Sequence, residues 1–255
     1  MSVILVGVAI FVLTFGAGLV GLAVQKSLPI EHKSDSARGV VGQIAGIISL
    51  LLALVLGTLI GVSFSYFSTQ KTELETFAAQ VLRFDQALKQ FGPEAQPIRQ
   101  SVHDYISKGY EIFWGGGGDV DPRALTVAGP LEGSDRLSAA LATLQPKTDA
   151  QKAALVTANT YAGMMEQSRL LMSLQVASQP VSWVVVAALI FWTVAIFFGI
   201  GLFAESNPVV LAAIGFGAAS IAFAIFLILE LGMPYTGVFR VPPAALEQTL
   251  QYMGK

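Results

Sequence analysis

The chain has no cysteine, only two histidines and few charged residues. The absence of cysteine excludes disulfides and thiolate metal ligands. The histidines, His32 and His103, are far apart in the sequence, and neither belongs to a His-x-x-x-His or His-Glu pair with metal-ligand spacing. We therefore expect no metal site and no cofactor.

Motifs of enzymes are also missing. The glycine run 115–118 lacks both the preceding strand and the following Lys-Ser/Thr of a phosphate loop, which favours a hinge between helices. There is no Gly-x-Ser-x-Gly elbow. The formal charge of -2 gives no reason to expect a nucleic-acid partner. The sequence predicts a protein that is not an enzyme.

Apolar residues, by contrast, are abundant. Hydrophobic residues make up 54% of the 255 residues against 13% charged, and the mean hydropathy is +0.65. Four apolar runs are long enough to cross a bilayer: 2–24, 39–68, 181–203 and 208–231. The first lacks the basic start and cleavage site of a secretory signal, so we interpret it as a retained transmembrane helix.

The region between the second and third runs is polar. Residues 69–179 hold 10 of the 15 Lys and Arg residues and 12 of the 17 Asp and Glu residues. No stretch alternates with a period of two, so no sheet is expected. Apolar residues at helical spacing predict that the second span continues to Phe91. Further helices are predicted from Pro93 to Trp114, from Ser134 to Leu144 and over 149–178.

These features predict an all-α integral membrane protein with four transmembrane helices. We expect transmembrane helices 1 and 2 in 1–68, a helical extramembrane domain in 69–179, helices 3 and 4 in 180–232, and a tail with a short helix in 233–255. The first loop holds Lys26, Lys33 and Arg38, which predicts by the positive-inside rule that it is cytoplasmic. The termini and the domain would then lie outside the cytoplasm of a bacterial inner membrane.

Several segments, in order along the chain, carry a family resemblance. They are LPIEHKSDS (28–36), LLALVLG (51–57), FGPEAQPIR (91–99), FW (191–192), GIGLFAESN (199–207) and FLILELGMPYTG (226–237). Through them the chain resembles bacterial membrane proteins with a bestrophin-like domain, a family of unknown function. The resemblance implies kinship with bestrophins, pentameric anion channels with a neck of bulky side chains on the second helix. Here that helix has Gly57 and Gly61 instead, with Phe64 and Phe67 at its outer end.

The second span is chemically one-sided. At about 100° per residue, small residues at spacings of three and four fall on one side of the helix. We call this set the small-residue face: Gly39, Gly42, Gly46, Ser49, Ala53, Gly57, Gly61, Ser65 and Ser68. In lipid such a face marks close approach of another helix or of water. Two alternatives stay open, packing within the subunit and lining a conduit.

Two polar features accompany this face. Glu230 is the only acidic residue inside an apolar span, and we interpret it either as part of a charged or proton-linked site or as an interfacial anchor paired with Arg240, Lys71 or Arg169. On the cytoplasmic side a polar cluster is predicted where the two short connections meet; a solvated turn is the alternative. Its members are Glu31, His32, Asp35, Arg38, Glu205 and Asn207.

From these observations we predict a homo-oligomeric ion channel or pore whose second helix lines a central axis and whose outer domain shapes the vestibule. The predicted pore-lining residues are Gln43, Gly46, Ser49, Ala53, Gly57, Gly61 and Ser65. Partners would be further copies of the chain, membrane lipid and inorganic ions. The alternative is a non-conducting scaffold or sensor whose outer domain binds a partner.

Overall fold

The structure is a computed structural model that describes residues 3–27, 35–115, 128–178 and 180–254, without the side chains of 35–38 and 128–132. It is 87% helical, with no strand in those ranges, which confirms the all-α prediction. The helices are α1 (Val3–Ser27), α2 (Asp35–Phe91), α3 (Gln96–Trp114), α4 (Ala128–Ala142), α5 (Asp149–Ala177), α6 (Trp183–Phe203), α7 (Pro208–Leu231) and α8 (Ala244–Met253). Four of these, α1, α2, α6 and α7, are long and apolar enough to cross a membrane.

The chain forms two compact units. Unit 1 comprises Met1–Tyr66 and Pro180–Gly232, and unit 2 comprises Phe67–Gln179 and Met233–Lys255. In unit 1, α1 packs along α6 and α7. Its core is built from aliphatic residues of those helices, with Ile10, Leu189 and Ile225 each at most 2% exposed. These residues come from three different helices, and Leu52 and Leu56 of α2 belong to the same buried core.

Helix α2 is 57 residues long and begins before the predicted span. Its continuation to Phe91, predicted from apolar spacing, is confirmed. Beyond the apolar run it keeps a buried stripe, on which Leu74, Phe77, Val81, Leu88 and Phe91 are all at most 7% exposed. A stripe with this period needs a partner surface, which α3, α5 and α8 supply in unit 2.

A tight corner ends α2. Gly92 has φ 123°, a conformation that side-chain-bearing residues rarely adopt. Pro93–Ala95 then form one 3-10 turn that leads into α3. The carbonyl of Phe91 at the end of α2 accepts a hydrogen bond from Nε2 of Gln151 on α5, at 2.9 Å. The segment FGPEAQPIR therefore encodes a helix hairpin and its anchor to α5.

Helix α4 differs from its prediction. We expected Ser134 as the N-cap and an end near Leu144, but the helix runs from Ala128 to Ala142 and contains Ser134 in its interior. Pro130 lies in the first turn, where backbone N–H groups have no intrahelical partner and proline is therefore tolerated. The prediction of this helix start was wrong because the sequence around Gly129 and Pro130 shows no clear helical pattern.

The tail after α7 is part of unit 2. The indole Nε1 of Trp114 donates a hydrogen bond to the carbonyl of Val241 at 3.0 Å. The hydroxyl of Tyr110 donates to Oε1 of Glu247 at 2.5 Å, and this hydrogen bond, together with burial and the charge of Glu247, raises the pKa of Tyr110 above its ordinary 10.0. Leu246 and Met253 of α8 are buried in the core of unit 2. The tail therefore packs on α3 and completes the core of unit 2.

Candidate pore-lining helix

Within unit 1, α2 contacts the other helices through a narrow strip. Leu52, Leu56 and Ser63 are buried, and they are spaced so that they share one side of the helix. The buried share of the apolar window is 17% for α2, 22% for α1 and for α7, and 33% for α6. Most of the apolar part of α2 is therefore uncovered by the described part of the chain.

The small-residue face lies in this uncovered part. All seven predicted pore-lining residues are exposed: Gln43, Gly46, Ser49, Ala53, Gly57, Gly61 and Ser65. A Cβ added at Gly39, Gly42, Gly46, Gly57 or Gly61 would meet no atom within 4 Å among the described residues. The small-residue face is therefore not a packing face within the described part of the subunit.

Close glycine packing occurs elsewhere in unit 1. A Cβ on Gly201 of α6 would collide with the carbonyl oxygen of Gly18 on α1, and a Cβ on Gly21 would collide with the carbonyl oxygen of Phe198. The two backbones approach as closely as small residues allow. Sequence reasoning missed this contact, although Gly18, Gly21 and Gly201 are visible signals in the two apolar runs.

The polar side chains Gln43, Thr58 and Ser63 in the apolar part of α2 have different surroundings. The hydroxyl of Thr58 donates to the carbonyl of Leu54 at 2.9 Å, one turn earlier. The amide of Gln43 is exposed on the uncovered side. Ser63 lies on the packed side, and its hydroxyl is buried without a hydrogen-bond partner in the described structure. The accessible polar groups of the span are therefore on the uncovered side of the helix.

Glu230 lies at the end of α7 and is 1% exposed. The three basic residues considered as its partners each have another contact. Lys71 lies 3.8 Å from Glu75, Arg169 donates to the hydroxyl of Tyr105, and Arg240 donates to the carbonyl of Gly237. Both roles considered for Glu230 stay predictions.

The predicted cytoplasmic polar cluster is only partly visible. Glu31 and His32 lie outside the described residues, and Asp35 and Arg38 are described by backbone alone, in the first turn of α2. Glu205 is exposed. Asn207 is the N-cap of α7, where its Oδ1 accepts from the backbone N–H of Val210 at 2.8 Å. This capping contact explains an asparagine at that position by helix stability.

One family model matches most of the chain. The model of the bestrophin-like domain matches residues 12–246. The chain belongs to the bestrophin-like domain family. In this bestrophin-like chain the match begins inside α1 and ends inside α8, so all or most of each of the four candidate spans falls within it. Comparison with curated proteins and with solved structures gives no match.

Proposed function

We propose that this bestrophin-like protein is an ion channel or pore made of several copies of the chain, with α2 of each copy lining a central axis. The observation that carries the proposal is the uncovered small-residue face of α2. Its five glycines from Gly39 to Gly61 have open space beside them, whereas the glycines between α1 and α6 are in backbone contact. Membership of a family named for its likeness to bestrophins supports the same class of function.

The chemistry of the uncovered surface supports an aqueous axis. Lipid is a suitable environment for exposed aliphatic side chains such as Ile44, Ile47 and Leu51. It is a poor one for the amide of Gln43, because a polar group in hydrocarbon without a hydrogen-bond partner costs several kcal/mol, roughly 2–7. Copies of α2 around an axis would give Gln43 and Ser49 water or a neighbouring chain, while Ile44 and Leu51 remain in lipid.

The small residues would also leave room for ions. Gly46, Ala53, Gly57 and Gly61 add almost no side-chain volume, so neighbouring helices can surround a conduit at these levels. Leu50 lies on the same side of α2, is 74% exposed and would narrow the conduit. Gln43, Ser49 and Ser65 would supply the oxygen and nitrogen atoms that replace part of the hydration shell of an ion. The partners in this proposal are further copies of the chain, membrane lipid and inorganic ions.

The membrane orientation belongs to the proposal as well. Lys26, Lys33 and Arg38 place the loop between α1 and α2 in the cytoplasm of a bacterial inner membrane. Four spans then put both termini and the helical domain outside the cytoplasm. Fusions of alkaline phosphatase or of green fluorescent protein after residue 255 test this orientation. If the fused protein lies outside the cytoplasm, the phosphatase fusion should be active and the fluorescent-protein fusion should not fluoresce.

An ion-flux assay on the purified protein tests the function. Liposomes containing the protein should dissipate a salt gradient faster than empty liposomes. Gly57→Leu should reduce this rate, because the leucine side chain would fill the axis. Gly16→Leu is the matched control, because Gly16 of α1 also has open space beside it but is not on α2. No flux in the wild type, or equal rates in the two variants, would contradict the proposal and leave the scaffold or sensor alternative.

A further inference from the structure

Unit 2 contains a cavity of about 330 Å³ between α3, α4 and α5, with one side chain of α2 in its wall. Its wall is mainly apolar and includes Phe77, Ile98, Val102, Ile106, Leu137 and Met165. Five of these six side chains are at most 8% exposed, so the apolar part of the wall belongs to the packed interior. A cavity of this size is at the small end of the range for sites that hold organic molecules, about 300–1,000 Å³.

The polar residues of the cavity include Ser101, Tyr105, Arg136, Glu166 and Arg169. Tyr105 is 46% exposed and Arg136 is exposed, which places the polar side at the surface. Among the wall residues that the structure describes, two guanidinium groups and one carboxylate sum to a single positive charge. An apolar interior with a monocationic rim is complementary to an apolar molecule that carries one negative charge.

Arg169 is held in position at this rim. Its Nη2 donates a hydrogen bond to the hydroxyl of Tyr105 at 2.5 Å, and its guanidinium lies 4.9 Å from the centre of the Tyr105 ring. Among the described residues no carboxylate lies within ion-pair distance of it. A guanidinium fixed by stacking loses little conformational freedom when it binds an anion, and its planar donors match a carboxylate.

Gly133 of α4 lies directly beside this pair. A Cβ added there would lie 3.2 Å from Nη1 of Arg169 and 3.2 Å from the hydroxyl of Tyr105. A side chain at 133 would therefore push against two groups of the rim, the guanidinium of Arg169 and the hydroxyl of Tyr105. Glycine keeps that space free while α4 covers the cavity.

We propose that this cavity is a binding site for small organic monocarboxylates with an apolar body, in which Arg169 binds the carboxylate and Phe77, Val102 and Met165 contact the body. The hydroxyl of Tyr105 accepts a hydrogen bond from Arg169 and donates a hydrogen bond to the second carboxylate oxygen. A dianion such as a phosphate monoester is disfavoured, because Glu166 leaves the rim with only one net positive charge. The site is separate from the ion conduction proposed above.

The test measures binding to the full chain in lipid nanodiscs by equilibrium dialysis, with empty nanodiscs subtracted. The probes are 4-phenylbutyrate and its uncharged counterpart 4-phenylbutanol. The acid is expected to bind at least about tenfold more tightly than the alcohol. Arg169→Met should remove that difference by weakening the acid alone, and Arg83→Met is the control because Arg83 is exposed and is not part of the cavity wall.

Two further variants test the cavity itself. Met165→Trp fills the interior of the cavity and should abolish binding of both probes. If the circular dichroism of this variant shows a loss of helix, Ala162→Leu, also in the wall, replaces it. Gly133→Val should weaken binding of the acid. Gly163→Val, at a glycine of α5 with open space beside it, should leave binding of the acid unchanged. Equal affinity for acid and alcohol, an equal effect of Arg169→Met on both probes, or no binding would overturn the proposal.

Discussion

Arg99 donates two hydrogen bonds to the carboxylate of Asp85, from Nε to Oδ1 at 2.7 Å and from Nη2 to Oδ2 at 3.1 Å. The side chain of Asp85 is completely buried and that of Arg99 is 12% exposed. The pair joins α2 to α3 across the corner at Gly92. It explains an arginine at the end of the segment FGPEAQPIR, since a single guanidinium can donate to both oxygens of a buried carboxylate.

Arg99→Met should destabilise unit 2 strongly, because it removes both hydrogen bonds to the buried Asp85 carboxylate and leaves it Lys89, 3.8 Å away, as an ion-pair partner. Loss of one member of a buried ion pair costs about 3–5 kcal/mol. Lys152→Met is the control: Lys152 lies 3.0 Å from Asp149, but both side chains are largely exposed, and such pairs contribute about 0–1 kcal/mol. Denaturant unfolding of the purified protein, followed by circular dichroism, measures both. Equal effects would mean that the corner does not depend on this pair.

Gly201→Ala should destabilise unit 1, because the added methyl group collides with the backbone of Gly18 and forces α1 and α6 apart. Overpacking of this kind costs about 1–3 kcal/mol. Gly57→Ala, at an open glycine of α2, is the matched control and should leave the thermal midpoint of detergent-solubilised single chains unchanged. A larger loss from Gly57→Ala than from Gly201→Ala would contradict the packing described for unit 1.

The hydrogen bond from Tyr110 to Glu247 predicts a pH dependence. The pKa of Tyr110 is raised in the folded state, so this bond contributes its full stabilisation below the ordinary value of 10.0 and loses it as the pH rises through the raised value. Thermal midpoints of wild type and Tyr110→Phe, measured in parallel from pH 8 to 12, should differ at pH 8 and converge at high pH. A constant difference between them would show that ionisation of Tyr110 is not involved.

Tyr235→Phe should destabilise unit 2 by about 1–3 kcal/mol, because it removes a donor to a buried acceptor. The hydroxyl of Tyr235 lies 3.1 Å from Oε1 of Gln70, whose side chain is buried. Tyr252→Phe is the control, since Tyr252 is 43% exposed. Denaturant unfolding distinguishes the two, and a loss no larger for Tyr235→Phe than for Tyr252→Phe would contradict this role.

Much of the fold was predictable because hydropathy identifies the segments that can lie in lipid and helical period identifies the buried face of a helix. The range predicted for the fourth span equals α7, Pro208–Leu231, since a proline begins the helix and Gly232 follows it. Contacts between distant residues, such as Trp114 with Val241, were not predictable, because no period or motif links positions so far apart. The small-residue face was identified from spacing alone, but spacing does not say what covers it. Its exposure within the subunit is what the structure adds.

The most direct test of the proposed pore uses single cysteines, because the natural chain has none. Ser49→Cys lies on the small-residue face, and Leu51→Cys, about 200° further round α2, is the lipid-facing control. We predict that a water-soluble, charged methanethiosulfonate reagent reduces ion flux through liposomes containing Ser49→Cys and leaves flux through Leu51→Cys and the wild type unchanged. Inhibition of Leu51→Cys without inhibition of Ser49→Cys would contradict an axis lined by this face of α2.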